Sequence, residues 1–294
     1  MTLHRRHVLT GILGGLLAAQ PRDKLLSKPK ANLESNNMSR LDEIMKTAEA
    51  RGYITAEERY EEAFLRYGPP KHVVKPDLAT IERYRGRVPD SLLRIWQDYG
   101  WGSWSNGVLW MCDPEFLRPI MHALFDGDPE FDPETVTPYA YDGFGDLYIY
   151  LGSGKQFHYK TLFNSGSKDY LKEWGQEPHQ TFTLSENFIY CFYGNLSNTN
   201  NFGDFLNNHK YENFMPELIK RYGELEPGEV YGFVPALSLG GSMSINNIQR
   251  MPILSYLSFL TEFERPIYES YIPPAEGEAG YGTITPIRRL GPQE

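Results

Sequence analysis

The sequence predicts an α+β fold in which helices pack on a mixed or antiparallel sheet, arranged as two closely packed subdomains. Three observations carry this. Apolar residues recur at helical spacing between residues 39 and 99, alternating aromatic runs with tight turns take over from 101 to 163, and helical spacing returns after 183. Helices at the start of the first half, strands in its second part and helices again afterwards read as α+β.

The elements follow in chain order. LDEIMKTAEARG, from Ser39, spaces Leu41, Ile44, Met45 and Ala48 on one face and stops at Gly52. Thr55 and Glu58 form a capping box for a second helix, TAEERYEEAFLRYG. Asp77 caps a short third helix through Tyr84, and Pro89 leads into DSLLRIWQDYG with Leu92, Leu93 and Trp96 on its apolar face. NGVLWM reads as a strand, and Asp113-Pro114 starts the helix that contains FLRPIMHALF. FGDLYIYLG and KQFHYKTLF flank a Gly-Ser-Gly turn and form a β-hairpin. The polar stretch 165–182 is the expected domain junction. Beyond it come a helix in SENFIYCFYGN capped by Ser185, a helix in NFMPELIKRYG, a strand at 229–234 and an apolar helix in MPILSYLSFLTEF. The resulting boundaries are an extension at 1–37, domains at 38–165 and 183–272, and a loose tail at 273–294.

Charge narrows the function. The chain has 29 Lys and Arg against 38 Asp and Glu, a net of −9. Residues 1–37 carry +4, so the body carries −13. Such a body repels phosphate backbones and attracts basic proteins. Cys112 and Cys191 lie in apolar runs and read as small buried hydrophobes, with pairing left open.

The N-terminus supports two readings. HRRHVLTGILGGLLAAQ has the paired arginines and apolar run of a twin-arginine export signal. Alternatively, translation starts at Met38, which opens a capped helix after an unstructured linker at 20–37. The second reading, and with it a cytoplasmic location, is favoured because a large chain with two cysteines carries no disulfide scaffold.

No catalytic or cofactor motif emerges. The seven histidines show no HxxxH or HExxH and neither cysteine has a CxxC neighbour, so no metal is expected. Gly152-Ser153-Gly154-Lys155 lacks phosphate-loop spacing, because Ile149 and Gln156 stand where Gly and Ser or Thr are required. No cofactor is therefore expected. Asp126, Asp128, Glu130, Asp132 and Glu134 alternate in DGDPEFDPE, but Phe131 occupies the position an EF-hand reserves for glycine. This segment reads as a solvated acidic loop or a docking surface for a basic partner. Ser238 and Ser242 of SLGGS lack the GxSxG elbow. Gly240 and Gly241 instead make that stretch a bend that turns sharply or approaches another surface closely.

Two longer stretches carry a resemblance. VPDSLLRIWQDYGWGSWSNGVLWMCDP (88–114), continued by FGDLYIY (144–150), is similar to the GAD-like domain. YGFVPALSLGGSMSINNIQRMPILSYLSFLTE (231–262) resembles the C-terminal domain of Tdi-type immunity proteins, and the Tyr-Gly-Trp-Gly segment resembles the broader SUKH-like immunity fold. The resemblance implies a cytoplasmic, non-enzymatic protein that binds and neutralises a cognate type VI secretion DNase of the Tde type. It would do so by plugging the active site or by holding the toxin inactive. Expected contacts are exposed aromatics near glycines (Trp101, Trp104), the acids at 126–134, and the bend at Ser238, Gly240 and Gly241. The alternatives are a small hydrolase using Ser238 or Ser242 with His158 or His209, and an exported binding protein.

Overall fold

A computed structural model describes residues 31–52, 58, 61–62, 65, 69–152, 155–168, 214–272 and 283–293. The chain divides into two compact units, Met1–Pro69 with Phe188–Asn213, and Pro70–Asn187 with Phe214–Glu294. Six α-helices and eleven strands fall among the described residues, and the fold is α+β as predicted.

In the first unit, helix α1 (Ala31–Arg51) buries Leu41, Ile44 and Ala48 on one stripe. Arg40 bridges Glu43 at 2.8 Å and Glu61 at 2.7 Å, and the Gly52 N–H closes the helix on the Ala48 carbonyl. The helix starts eight residues before Ser39, so Met38 lies inside it and the expected linker at 20–37 is corrected from Ala31 onward. No Gly or Pro stands between Pro29 and Met38 to stop a helix propagating toward the N-terminus. Of the second predicted helix only residues 58, 61, 62 and 65 are described, and they are helical.

In the second unit, α2 (Leu78–Tyr84) is capped as predicted, with the Asp77 carboxylate accepting from the Thr80 N–H at 2.8 Å. Helix α3 (Asp90–Asp98) buries Leu92, Leu93 and Trp96. A 3₁₀ turn (Pro114–Leu117), capped by Asp113, runs into α4 (Arg118–Phe125). Helices α5 (Met215–Tyr222) and α6 (Ile253–Phe263) follow in the C-terminal half. The helix placed in SENFIYCFYGN lies outside the described residues.

Nine strands form one sheet: β1 (Lys71–Val74), β2 (Trp101–Trp104), β3 (Leu109–Met111), β4 (Thr137–Asp142), β5 (Leu147–Tyr150), β6 (Gln156–Lys160), β7 (Ser165–Lys168), β10 (Ile267–Ile272) and β11 (Thr283–Arg289), in that spatial order. Every neighbouring pair is antiparallel except β7 with β10, which run parallel with Ile267 opposite Ser165. A separate hairpin pairs β8 (Glu229–Phe233) with β9 (Ile248–Pro252).

Two expectations are corrected by this sheet. Ser165–Lys168 is an interior strand, not the start of a junction. Its small polar residues conceal it, because main-chain bonds to both neighbours, not side-chain propensity, hold an interior strand. The tail is likewise not loose over Thr283–Arg289, which pairs with β10 along its length as an edge strand. Pro286 is tolerated there because an edge strand has a side free of ladder bonds.

The core of the sheet gathers Phe125 of α4, Phe131, Phe157 of β6 and Tyr268 of β10 in ring contacts of 5.1–6.1 Å. The β4–β5 turn joins the hairpin to the sheet: the Gly143 N–H donates to the Val108 carbonyl, and its carbonyl accepts from the Tyr231 N–H, both at 2.7 Å. Phe144 packs beside Tyr231 and Phe233.

Candidate partner-binding surface

The acidic loop runs from the end of α4 to the start of β4, and its five acids divide by direction. Asp128 turns inward. Its side chain is fully buried, pairs with Arg288 at 2.6 Å and accepts the N–H groups of Glu130, Phe131 and Gly291. Glu130 is shared between Lys168 and Arg288. Both cations lie over the Phe131 and Tyr268 rings, at 5.0–6.0 Å from the centroids. Burial, and then the Arg288 charge, lowers the Lys168 pKa. Asp128 is therefore corrected from a docking residue to a pin between this loop and β11. Burying a carboxylate is costly unless it is paired and hydrogen-bonded in this way.

Asp126, Asp132 and Glu134 face solvent. The His122 imidazole sits between Asp126, at 2.9 Å from Nδ1, and Glu134, at 3.2 Å from Nε2. Asp132 accepts the Glu134 N–H, and Arg118 donates to the Pro133 and Val136 carbonyls, so the loop has a fixed shape. A recess of about 290 Å³ beside it is lined by residues including Asp128, Glu130 and Asp132 and by no basic side chain. Asp128 and Glu130 already pair with Arg288 and Lys168, so of these acids Asp132 is the one without a cation among the described residues. No group of residues suited to holding a metal ion occurs among the described residues.

Trp101 and Trp104 do not form an exposed pair. Both are buried in β2 between β1 and β3, with Trp101 edge-on to Trp96 at 5.8 Å. Adjacent glycines signalled exposure in the sequence, but a strand flanked on both sides buries its large rings.

The SLGGS stretch is a bend, as predicted. Leu237–Leu239 form a 3₁₀ turn, and Gly240 ends it at φ 82°, a left-handed conformation that glycine adopts without strain. A Cβ on Gly241 would land on the Pro235 carbonyl oxygen and lie 2.8 Å from that of Ala236. Ser238 is half-buried, and the Ser242 hydroxyl accepts from the Asn247 side-chain amide at 2.7 Å. His158 lies beside Asp146 at 3.3 Å and stacks on Tyr148, while His209 is outside the described residues. In the neighbouring turn, burial and then the Asp146 charge hold the Asp142 carboxyl well above its usual range. Its Oδ1 accepts the Phe144 and Asp146 N–H groups, and its Oδ2 has no partner.

The sequence reading passed over the aromatics that do face solvent. Phe163, Phe259 and Phe263 are 49%, 51% and 64% exposed, and Val234 is exposed beside the bend. The signal was present: α6 buries Ile253, Tyr256, Leu257 and Leu260, while Phe259 and Phe263, four residues apart, fall off that face. An apolar stripe wider than the core requires leaves rings on the surface.

Comparison with known proteins fits this arrangement. Residues 58–161 match the GAD-like domain, and residues 192–264 match the family described as T6SS immunity protein Tdi1, C-terminal. The second match contains the bend, the β8–β9 hairpin and α6. Comparison with curated proteins gave no match. Among solved structures, the crystal structure of Atu4351 from Agrobacterium tumefaciens is similar in fold, with a TM-score of 0.65 at 20% identity. The likeness covers 80% of this chain and 99% of that one. No described helix is long and apolar enough to cross a membrane. With a GAD-like domain followed by the Tdi1 C-terminal domain on one chain, the protein has the architecture of the Tdi-type immunity proteins of type VI secretion.

Proposed function

We propose that this chain binds a cognate type VI effector with DNA-degrading activity and blocks its access to DNA. The single observation that carries the reading is the order of the two family matches along the chain. Electrostatics supports the choice of a nuclease. A DNase presents positive charge to its substrate, and this chain offers a net charge of −9 with Asp126, Asp132 and Glu134 facing solvent on a loop of fixed shape. These carboxylates would take the place of DNA phosphates at the cationic surface. The working location is then the cytoplasm, where the chromosome needs protection.

The test combines the full chain with the effector encoded by the adjacent gene and follows degradation of plasmid DNA. The expected result is a stable complex in gel filtration with degradation suppressed at equimolar ratio. A complex whose effector attacks another substrate would retain the immunity role and discard the nuclease. Free components with full DNA degradation would discard the pairing.

A further inference from the structure

We propose that Phe163, Phe259 and Phe263 form the apolar anchor by which this chain grips its effector, seating in an apolar recess of that protein rimmed by Lys or Arg. The inference rests on the immunity reading above and assigns it a surface.

Two elements carry the three rings, and a hydrogen bond ties the ends of those elements together. Phe259 and Phe263 project from adjacent turns of α6 with ring centroids 6.1 Å apart. The Asn164 side-chain amide donates to the Glu264 carbonyl at 2.8 Å. Phe163 and Phe263 thus each stand one residue from the same hydrogen bond. The Thr161–Phe163 turn also lies against the Leu237–Leu239 turn of the bend. Half-exposed phenylalanines each leave about 100 Å² uncovered, so the three together offer roughly 300 Å², the size of the largest apolar patch on a typical monomer, which is often functional.

The patch is also presented rigidly. The opposite stripe of α6 is buried in the core, so the rings lose little freedom when a partner covers them. Residues four apart on an exposed helix face are the spacing with which helices fill grooves.

Charge selects the occupant. Glu262 is the single charged residue of α6, is exposed and has no ion pair among the described residues. Of the neighbouring charges, Glu264 pairs with Arg289 at 2.6 Å, and the Arg265 guanidinium packs against Gly291, beyond the end of the helix. An apolar pair bordered by an open carboxylate on a chain of net −9 complements a basic partner and disfavours a second copy of the same chain. The cationic, DNA-facing region of a nuclease has the required character.

The experiment measures binding of the full chain to the catalytically inactivated effector of the adjacent gene by calorimetry. It compares wild type with the F259S/F263S double variant, Phe163→Ser and, as a control, Leu78→Ser. Leu78 is 76% exposed on α2 and lies outside the patch. The double variant is expected to bind at least about 30-fold more weakly, the range of interface anchors, with its melting temperature unchanged. Phe163→Ser should follow in the same direction, and Leu78→Ser should bind as wild type. Wild-type affinity in the double variant would overturn the inference and leave the immunity reading standing. Absence of binding by wild type would remove that reading and this one with it. Wild-type self-association that the double variant abolishes, at unchanged effector affinity, would assign the face to a homodimer and overturn the proposal.

Discussion

The acidic loop and the C-terminal bend with its following helix both attracted attention in the sequence, and they use their conspicuous residues in opposite ways. In the loop, Asp128, the second of the five acids, is consumed by the fold, while Asp126, Asp132 and Glu134 remain in water. In the bend, Gly241 is consumed by a close approach of two backbones, and what remains in water is the apolar surface of Phe259 and Phe263 nearby. One region thus exposes charge without large apolar side chains, the other apolar rings with little charge. Such a division is common at interfaces, where charge governs the speed of encounter and buried rings govern residence time.

This comparison can be broken most directly at Asp128. Replacing it with Ala leaves three backbone N–H groups without their acceptor and Arg288 with Glu130 as its one remaining carboxylate partner among the described residues, and should reduce stability by about 3 kcal/mol, whereas Asp132→Ala should stay within about 0.5 kcal/mol. Denaturant titration of both variants checks this, and equal midpoints would mean that the loop has no internal pin. In the bend, Gly241→Ala forces a Cβ onto the Pro235 carbonyl and should remove about 2 kcal/mol. Gly240→Ala meets no atom and carries only the strain of its left-handed φ, about 1 kcal/mol. Reversal of that order in thermal melts would show that the bend is set by its turn and not by the backbone approach.

The β4–β5 turn, which joins the sheet to the β8–β9 hairpin, gives a smaller effect that depends on pH. Burial keeps the Asp142 carboxyl protonated in the folded chain above the unfolded pKa of about 3.9. The folded state then holds a proton that the unfolded state has released. The Asp142 contribution is therefore most favourable below about pH 4 and declines as pH rises toward the folded pKa. Asp142→Asn abolishes this slope, so its melting temperature relative to wild type should rise between pH 4 and neutrality. A constant difference across that range would contradict the protonated form. The smallest stability change belongs to the outer acids. The D126K/E134K variant should shift stability by no more than about 0.5 kcal/mol, yet slow association with the effector roughly tenfold at low salt and hardly at all at high salt. Stopped-flow rates at two ionic strengths distinguish steering from a purely structural loop.

Much of the architecture was legible because its signals are local. Asp77 and Asp113 cap the elements they precede, the 147–160 hairpin follows from its turn, and SLGGS behaves as glycine stereochemistry requires. Less of the surface could be read. Tryptophans beside glycines suggested exposure at Trp101 and Trp104, but sheet neighbours far away in sequence bury them. MPILSYLSFLTEF read as an apolar helix without distinguishing its faces, and only the packing of α6 leaves Phe259 and Phe263 outside.

The sequence by itself determined the α+β class, most helix starts and stops, the negative charge and the domain pair, since each depends on residue type and short-range spacing. Only the tertiary structure decided that Ser165–Lys168 and Thr283–Arg289 are strands of one sheet, that Asp128 is a pin and its neighbours are not, and which aromatics meet solvent. Those outcomes depend on which distant segments come to lie together, as when Arg288 reaches Asp128 across 160 residues of chain.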